Sequence, residues 1–373
     1  MPKNPNQLTL SRQKRALLLL EWSTGFHPAG SVWVLLLSLR GFSLVEIGLA
    51  ESLFHVVSLW GEVPSGLLAD LLGRRRTLLL SQAMFALSAL LMAASNGMAG
   101  VCAAMAASAL AYNLQSGTRE AITYESLLQA GREEGYLKFS SLQNFLFRLS
   151  DGGAMLLAGA TVLLGWRMAY LIDAAVAAAG LGAALALAEP EAGRTVKRPP
   201  SFPAALAGVF QEAWAVLRSD GTAVRIMALN ALVGAAATLT RFFLQQRVGE
   251  AVPLPALLGP ALFLLGLGGA LAGLAAGPLD RLPYRWAVLL AGGGAAVCAA
   301  LARGRSLPVL LAAGLLTGLL DDALQLVSDK RLNDRFPSSA RATLVSVSSM
   351  AFSLVMIPLS PLFGWFFSYS QHT

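Results

Sequence analysis

Charge is what this chain has least of. Of its 373 residues only 13% are Asp, Glu, Lys or Arg, while 55% are hydrophobic. A soluble domain carries about 25% charged residues. So little charge cannot keep a folded surface of this size in water, which excludes a soluble domain and leaves an all-α polytopic membrane protein. Cysteine is almost absent. Cys102 and Cys298 lie in apolar runs and offer neither metal-ligand spacing nor an argued disulfide. No P-loop occurs, so no ATP-driven pump is encoded, and the absence of HExxH, GxSxG and CxxC patterns leaves no enzyme, metal site or cofactor to argue for. The glycine cluster GLGGALAGLAAG (266–277) falls inside an apolar run, where it suits close helix packing in lipid and not a phosphate loop.

The charge that is present is basic, +7 net. In a soluble protein this would suggest nucleic acid. Here it points to the lipid bilayer and the positive-inside rule, with no nucleic-acid partner. The basic head and apolar run of MPKNPNQLTLSRQKRALLLLEW continue past the length of a signal peptide, so they read as a retained first span. Apolar runs of about 20 residues predict eleven spans at 15–38, 44–70, 77–95, 98–124, 138–163, 167–188, 223–245, 254–278, 285–302, 307–328 and 342–366. With the N-terminus in the cytoplasm, 20 of the 28 Lys and Arg fall in cytoplasmic segments and 6 outside. This fixes the orientation and places the C-terminus on the outer side. The one long loop divides the chain into an N-terminal bundle (1–188), a linker with a surface-lying amphipathic helix (189–222) and a C-terminal bundle (223–373).

The two bundles echo one another. ITYESLLQAGREEGYLKFSSLQNF (122–145) aligns with LVSDKRLNDRFPSSARATLVSVSSM (326–350), and GLLADLLGRRR from Gly66 aligns with GLAAGPLDRLPYR from Gly273 at nearly the same offset. LLGWRMAY (163–170) resembles LFGWFFSY (362–369), after which the chain stops, so the expectation is two six-helix halves with the twelfth helix missing.

An ionisable group at the bilayer centre costs about 2.5–3.5 kcal/mol and needs a reason to be there. Arg148 and Asp151 fall near mid-depth of the fifth span, on one helical face. Asp151 is the first candidate for a proton-carrying carboxylate, followed by Glu21 and Glu51; the bland alternative for Arg148 and Asp151 is a permanent structural pair. His27, His55, Asn113, Gln115, Arg148, Asn230, Asp321 and Asp322 are candidates for a polar cavity that contacts substrate. His27 also reads as a packing histidine beside a kink at Pro28. Glu62, Arg119, Glu120 and Glu125 sit near span ends as gate residues, and Asp173 and Arg241 read as outer-rim residues.

Residues 62–80 carry a compact charge cluster, EVPSGLLADLLGRRRTLLL. Its Gly66-x-x-x-Asp70-x-x-Gly73-Arg74-Arg75, between the second and third spans, resembles the signature loop of the major facilitator superfamily. Glu62-x-Pro64-x-Gly66 and Arg341-Ala342-Thr343 resemble a bacterial branch of drug or metabolite exporters. Two departures stand out: Leu71 follows the aspartate where the family has Arg, and Asp151-Gly152-Gly153 lacks the proline of drug antiporters. The resemblance implies the fold of that superfamily, rocker-switch alternating access and a monomer in a bacterial inner membrane. It also implies a gate in which Gly66 allows close helix approach and Asp70 faces the start of the eleventh span near Ser338 and Ser339. The expected activity is proton-coupled export of an amphipathic small molecule, driven by the proton gradient without a cofactor. The alternatives are import of an anionic metabolite and a non-transporting receptor or scaffold.

Overall fold

The computed structural model describes residues 10–190, 220–336 and 341–369, with residues 207, 208, 211, 214 and 218 between them. Ser338, Ser339 and most of the linker lie outside the described residues. Every regular element among the described residues is helical. The chain resolves into two compact units. One holds Met1–Ser31, Trp60–Ala154 and Leu164–Leu206, and the other holds Val32–Leu59, Met155–Leu163 and Ala207–Thr373.

In the first unit, α1 (Leu10–Gly25), α4 (Arg74–Ala94), α5 (Met98–Gln115), α6 (Thr118–Gln129) and α9 (Trp166–Ala186) pack together. Helix α4 lies against α5 and α9, and α1 against α6 and α9. Leu17, Leu20, Leu78, Ile122 and Leu127 form a buried core at one end of these helices. The unit also holds the second part of α3 (Leu44–Leu72) and most of α7 (Tyr136–Leu156).

The second unit is built on α10 (Gly221–Ala251) and α14 (Leu307–Asn333). Around α14 pack α10, α11 (Pro255–Ala270), α12 (Ala272–Asp280) and α13 (Tyr284–Leu301), while α15 (Arg341–Ser368) and the short α2 (Trp33–Leu39) lie against α10. The first part of α3 belongs here. It starts with a capping box in which Ser43 N–H donates to Glu46 Oε2 (2.8 Å) and Glu46 N–H to Ser43 Oγ (3.3 Å). Gly48 of α3 abuts the Ser360 carbonyl of α15, and Gly364 of α15 abuts the Leu44 carbonyl of α3. A side chain at either position would meet backbone, so this reciprocal pair of glycines sets how closely the two helices run.

Among the described residues eight helices are long and apolar enough to cross a membrane, or nine if α7 and α8 (Ala158–Leu164), bent by 52°, count as one. Of the eleven spans expected from sequence, those at 15–38 and 98–124 are not among these. The expected first span is split by a break at His27-Pro28 and a 3-10 turn at Gly30–Val32. The expected fourth is split at Gly117, where φ is +71°. Helix α10 also runs to Ala251, beyond the expected 245, which moves Arg241 inward.

The signature loop is a helix junction. Gly73 has φ +90° and ψ 158°, a region that only glycine occupies easily. The turn lets Glu189 cap α4: Arg74 N–H donates to its Oε1 (2.6 Å) and Arg75 N–H to its Oε2 (2.8 Å). A carboxylate there answers the positive end of the helix. Among the described residues, a Cβ added at Gly66 meets nothing within 4 Å. Gly73→Ala is therefore expected to destabilise the protein by about 1–3 kcal/mol, while Gly66→Ala stays within about 0.5 kcal/mol. Thermal unfolding of the two variants in detergent checks this; equal midpoints would contradict it.

Candidate functional site

The polar groups of the first unit converge on Glu21. Its side chain hangs from α1 and is 1% exposed. Arg119, in the first turn of α6, donates from Nη1 to Glu21 Oε2 at 2.9 Å. Gln143 of α7 donates from Nε2 to the other oxygen at 3.1 Å. Arg119 has a second carboxylate, with Nη2 2.9 Å from Glu120 Oε1. One guanidinium is thus shared between a buried and a half-exposed acid. A cavity of about 10 Å³ lies beside them, lined by Glu21, Arg119, Glu120 and Gln143 among others. It has room for about one water. Gln115, 6% exposed, donates to Thr24 Oγ1 at 2.7 Å, one turn from Glu21, and Asn113 is buried against Gly61.

The break in the first expected span is held by a residue read from sequence as a rim group. Asp173 of α9 is 5% exposed. It accepts hydrogen bonds from Ala29 N–H (Oδ1, 3.1 Å) and Gly30 N–H (Oδ2, 2.9 Å). These amides have left the helical ladder, and lipid supplies no partner for them. His27 sits in the same break, its ring 6.0 Å from that of Phe85. Its carbonyl accepts from Ser31 N–H at 2.8 Å and Ser31 Oγ at 2.9 Å, so His27 is part of the kink that its neighbour Pro28 suggested.

Arg148 and Asp151 share a face of α7 but make no ion pair within 4 Å among the described residues, so the permanent pair weighed from sequence is not formed. Arg148 is exposed and Asp151 half-buried. At the signature loop Asp70 pairs with Arg74 Nη1 at 2.8 Å, one turn along, with half of its side chain exposed. Arg74 Nε also reaches Glu125 Oε1 at 3.4 Å. Glu62 is half-buried nearby in sequence, its carbonyl accepting from Ser65 Oγ.

The second unit carries its own pairs. His55 and Glu51 lie one turn apart on α3, both under 10% exposed, with Nε2 3.3 Å from Oε1. His55 Nδ1 lies 3.2 Å from Ser353 Oγ on α15, and Ser52 Oγ donates to the Ile357 carbonyl at 2.6 Å. Arg241 Nη2 is 3.4 Å from Asp321 Oδ2. Arg241 was read as a rim residue because the span was expected to end at 245. With α10 ending at Ala251, it lies about 15 Å from that end, deep enough to meet Asp321. Asp322 packs against Gly269. Asn230 donates to Gln325 Oε1 at 2.6 Å, and Gln325 to Asp329 Oδ1 at 2.9 Å.

Sequence reasoning missed Glu189 as a cap and Gln143 as a partner. No motif marks either. The one available signal for Gln143 was a long polar side chain inside an apolar run.

Long apolar helices in two units, with buried carboxylates held by arginine, glutamine or backbone amides, are what a polytopic membrane protein needs. The chain belongs to the Major Facilitator Superfamily, whose sequence model matches residues 22–279. Among solved structures, the nucleoside transporter NupG superposes with a TM-score of 0.75, covering 98% of this chain and 97% of its own at 15% identity. A POT family transporter in complex with 5-aminolevulinic acid gives 0.67, covering 96% and 93% at 13% identity. The D-xylose–proton symporter gives 0.62, covering 95% and 89%, also at 13% identity. At these identities the likeness is one of fold. No curated protein sequence matches the chain.

Asp173→Ala strips two buried amides of their acceptor, at about 1–3 kcal/mol each. It is expected to lower the unfolding midpoint more than Asp173→Asn, which keeps one oxygen. Identical midpoints for both variants and the parent protein would remove Asp173 from this role.

Proposed function

We propose that this protein is a proton-coupled secondary transporter of a small polar metabolite, working by alternating access in a bacterial inner membrane with its N-terminus in the cytoplasm. The observation that carries the reading is the sharing of Arg119 between Glu21 and Glu120. When Glu21 takes a proton, its bond to Arg119 weakens, yet Arg119 keeps Glu120 as a counter-ion. The proton can therefore come and go without stranding a buried cation, which would cost several kcal/mol. Gln143 supports either form, donating to the carboxylate and remaining beside the acid. Asp151, the first candidate from sequence, is half-buried and makes no ion pair within 4 Å among the described residues, and it suits substrate contact together with Arg148. The tight contact of α3 with α15 at Gly48 and Ser52 is a gate that has to part during the cycle.

Three features favour a polar metabolite over a drug. Asp151-Gly152-Gly153 lacks the proline of drug antiporters. Arg148 offers an exposed cation within an apolar helix. The similar structures are named for a nucleoside transporter, a sugar–proton symporter and a POT family transporter.

Proteoliposomes with an imposed pH gradient test the reading, using radiolabelled nucleosides, pentoses and dipeptides as probes. The parent protein is expected to accumulate one of these classes against its gradient. Glu21→Gln is expected to abolish accumulation but retain exchange of the same solute, and Asp151→Asn to raise KM several-fold with gradient dependence intact. Gradient-driven accumulation that survives Glu21→Gln would overturn the coupling role.

A further inference from the structure

Three helix ends meet in the second unit around a cavity of about 580 Å³. They are the first turn of α10 with Thr222 and Arg225, the first turn of α13 with Tyr284 and Arg285, and the end of α14 with Arg331 and Arg335 just beyond. The volume lies in the range that accepts a small ligand or a headgroup. Four arginines line it against a single acid, Asp334.

Two of the four arginines are committed to the protein. Arg331 donates to the backbone carbonyls of Asp280 (3.0 Å) and Leu282 (2.8 Å). Arg335 pairs with Asp220 at 2.9 Å. Asp220 is also the N-cap of α10, accepting from Thr222 N–H and Ala223 N–H. Its bond from Arg335, and then these amides, hold its carboxyl below the ordinary carboxylate range, so it stays charged and neutralises Arg335. Arg225 and Arg285 differ: among the described residues neither makes an ion pair or a hydrogen bond, and both are exposed. Arg285 lies 5.7 Å over the ring of Trp286, which is itself 53% exposed.

Depth decides what these two cations face. Helices α10 and α14 have 31 and 27 residues, about 40–46 Å at 1.5 Å per residue. That is the thickness of a bilayer including its headgroups. Their ends therefore lie at headgroup level, where an exposed tryptophan beside an arginine is the usual anchor. A phosphate is the anion that layer holds in abundance, and a guanidinium binds it through paired N–H donors.

We propose that this cavity is a binding site for the headgroup of an anionic phospholipid, with the lipid phosphate taken by Arg225 and Arg285. Tyr284 forms the floor. Its hydroxyl lies 2.9 Å from Ser328 Oγ and donates to the Ile226 carbonyl at 3.2 Å, joining the three helices. A lipid held here ties the starts of α10 and α13 to the end of α14 and makes the stability of this unit depend on membrane composition.

The test is lipid retention by the purified full-length protein in detergent, read by native mass spectrometry. The probes are phosphatidylglycerol, phosphatidylcholine and inorganic phosphate. It needs no transport activity, so it stands apart from the coupling proposal. The parent protein is expected to bind phosphatidylglycerol about 30-fold more tightly than phosphatidylcholine, two arginines each contributing at the membrane surface. Arg225→Gln with Arg285→Gln is expected to bring the two lipids level, and Arg285→Gln alone to fall between. Arg132→Gln, an exposed position in the first unit, should change nothing. Unfolding midpoints without lipid should match the parent protein, which separates lost binding from lost folding. Equal affinity for both lipids in the parent protein, or selectivity unaltered in the double variant, would overturn the proposal. Inorganic phosphate bound as tightly as phosphatidylglycerol would overturn the assignment to lipid.

Discussion

A charge inside a bilayer has only the protein to answer it, and this fold is arranged around that constraint. Glu21 is answered by Arg119 and Gln143, Asp321 by Arg241, and Glu51 by His55. The same holds for backbone. Where the first expected span breaks, Asp173 reaches from α9 to the two amides the break releases. The contacts of Glu21 and of Asp321 each join two helices, and that of Asp173 joins α9 to the break. The polar residues therefore do more than tolerate their surroundings, because they fix which helices are neighbours. Apolar packing in lipid is poorly selective, since lipid tails compete with side chains for it.

The pairs differ in what they allow. Asp173 holds two backbone amides and has no alternative state, so it belongs to the frame. Glu21 sits beside a guanidinium that has a second acid within reach, so Arg119 would keep a counter-ion if Glu21 were neutral. Around the signature loop the charges are more exposed and form a chain from Asp70 through Arg74 to Glu125, with Glu189 on the backbone of the same junction. Exposed pairs of this kind each contribute little stability. His55 and Glu51 lie where α3 and α15 touch through glycines, so that contact has a polar group poised at its edge.

Much of this was legible in the sequence. The scarcity of charge gave the class of protein, and Gly73-Arg74-Arg75 after Asp70 gave the superfamily, because a tight turn and a helix start demand those residue types. Glu21 and Arg119 were both singled out, but in different roles, since nothing in a linear sequence brings residues 98 positions apart together. Arg241 was misplaced by an error of six residues in a helix end, which shifts depth by about 9 Å. Asp173 was misplaced because its partners are backbone amides, which leave no mark in a sequence.

The direct measurement of the central claim is a double-mutant cycle on Glu21 and Arg119, read by reversible unfolding in mixed micelles. Arg119→Gln should cost more than Glu21→Gln, because it strands a buried carboxylate while the reverse change leaves Arg119 with Glu120. The coupling energy between the two positions should reach about 3 kcal/mol, as expected where one partner of a buried pair is removed. Costs that simply add, with no coupling, would show that Glu21 and Arg119 do not hold this unit together.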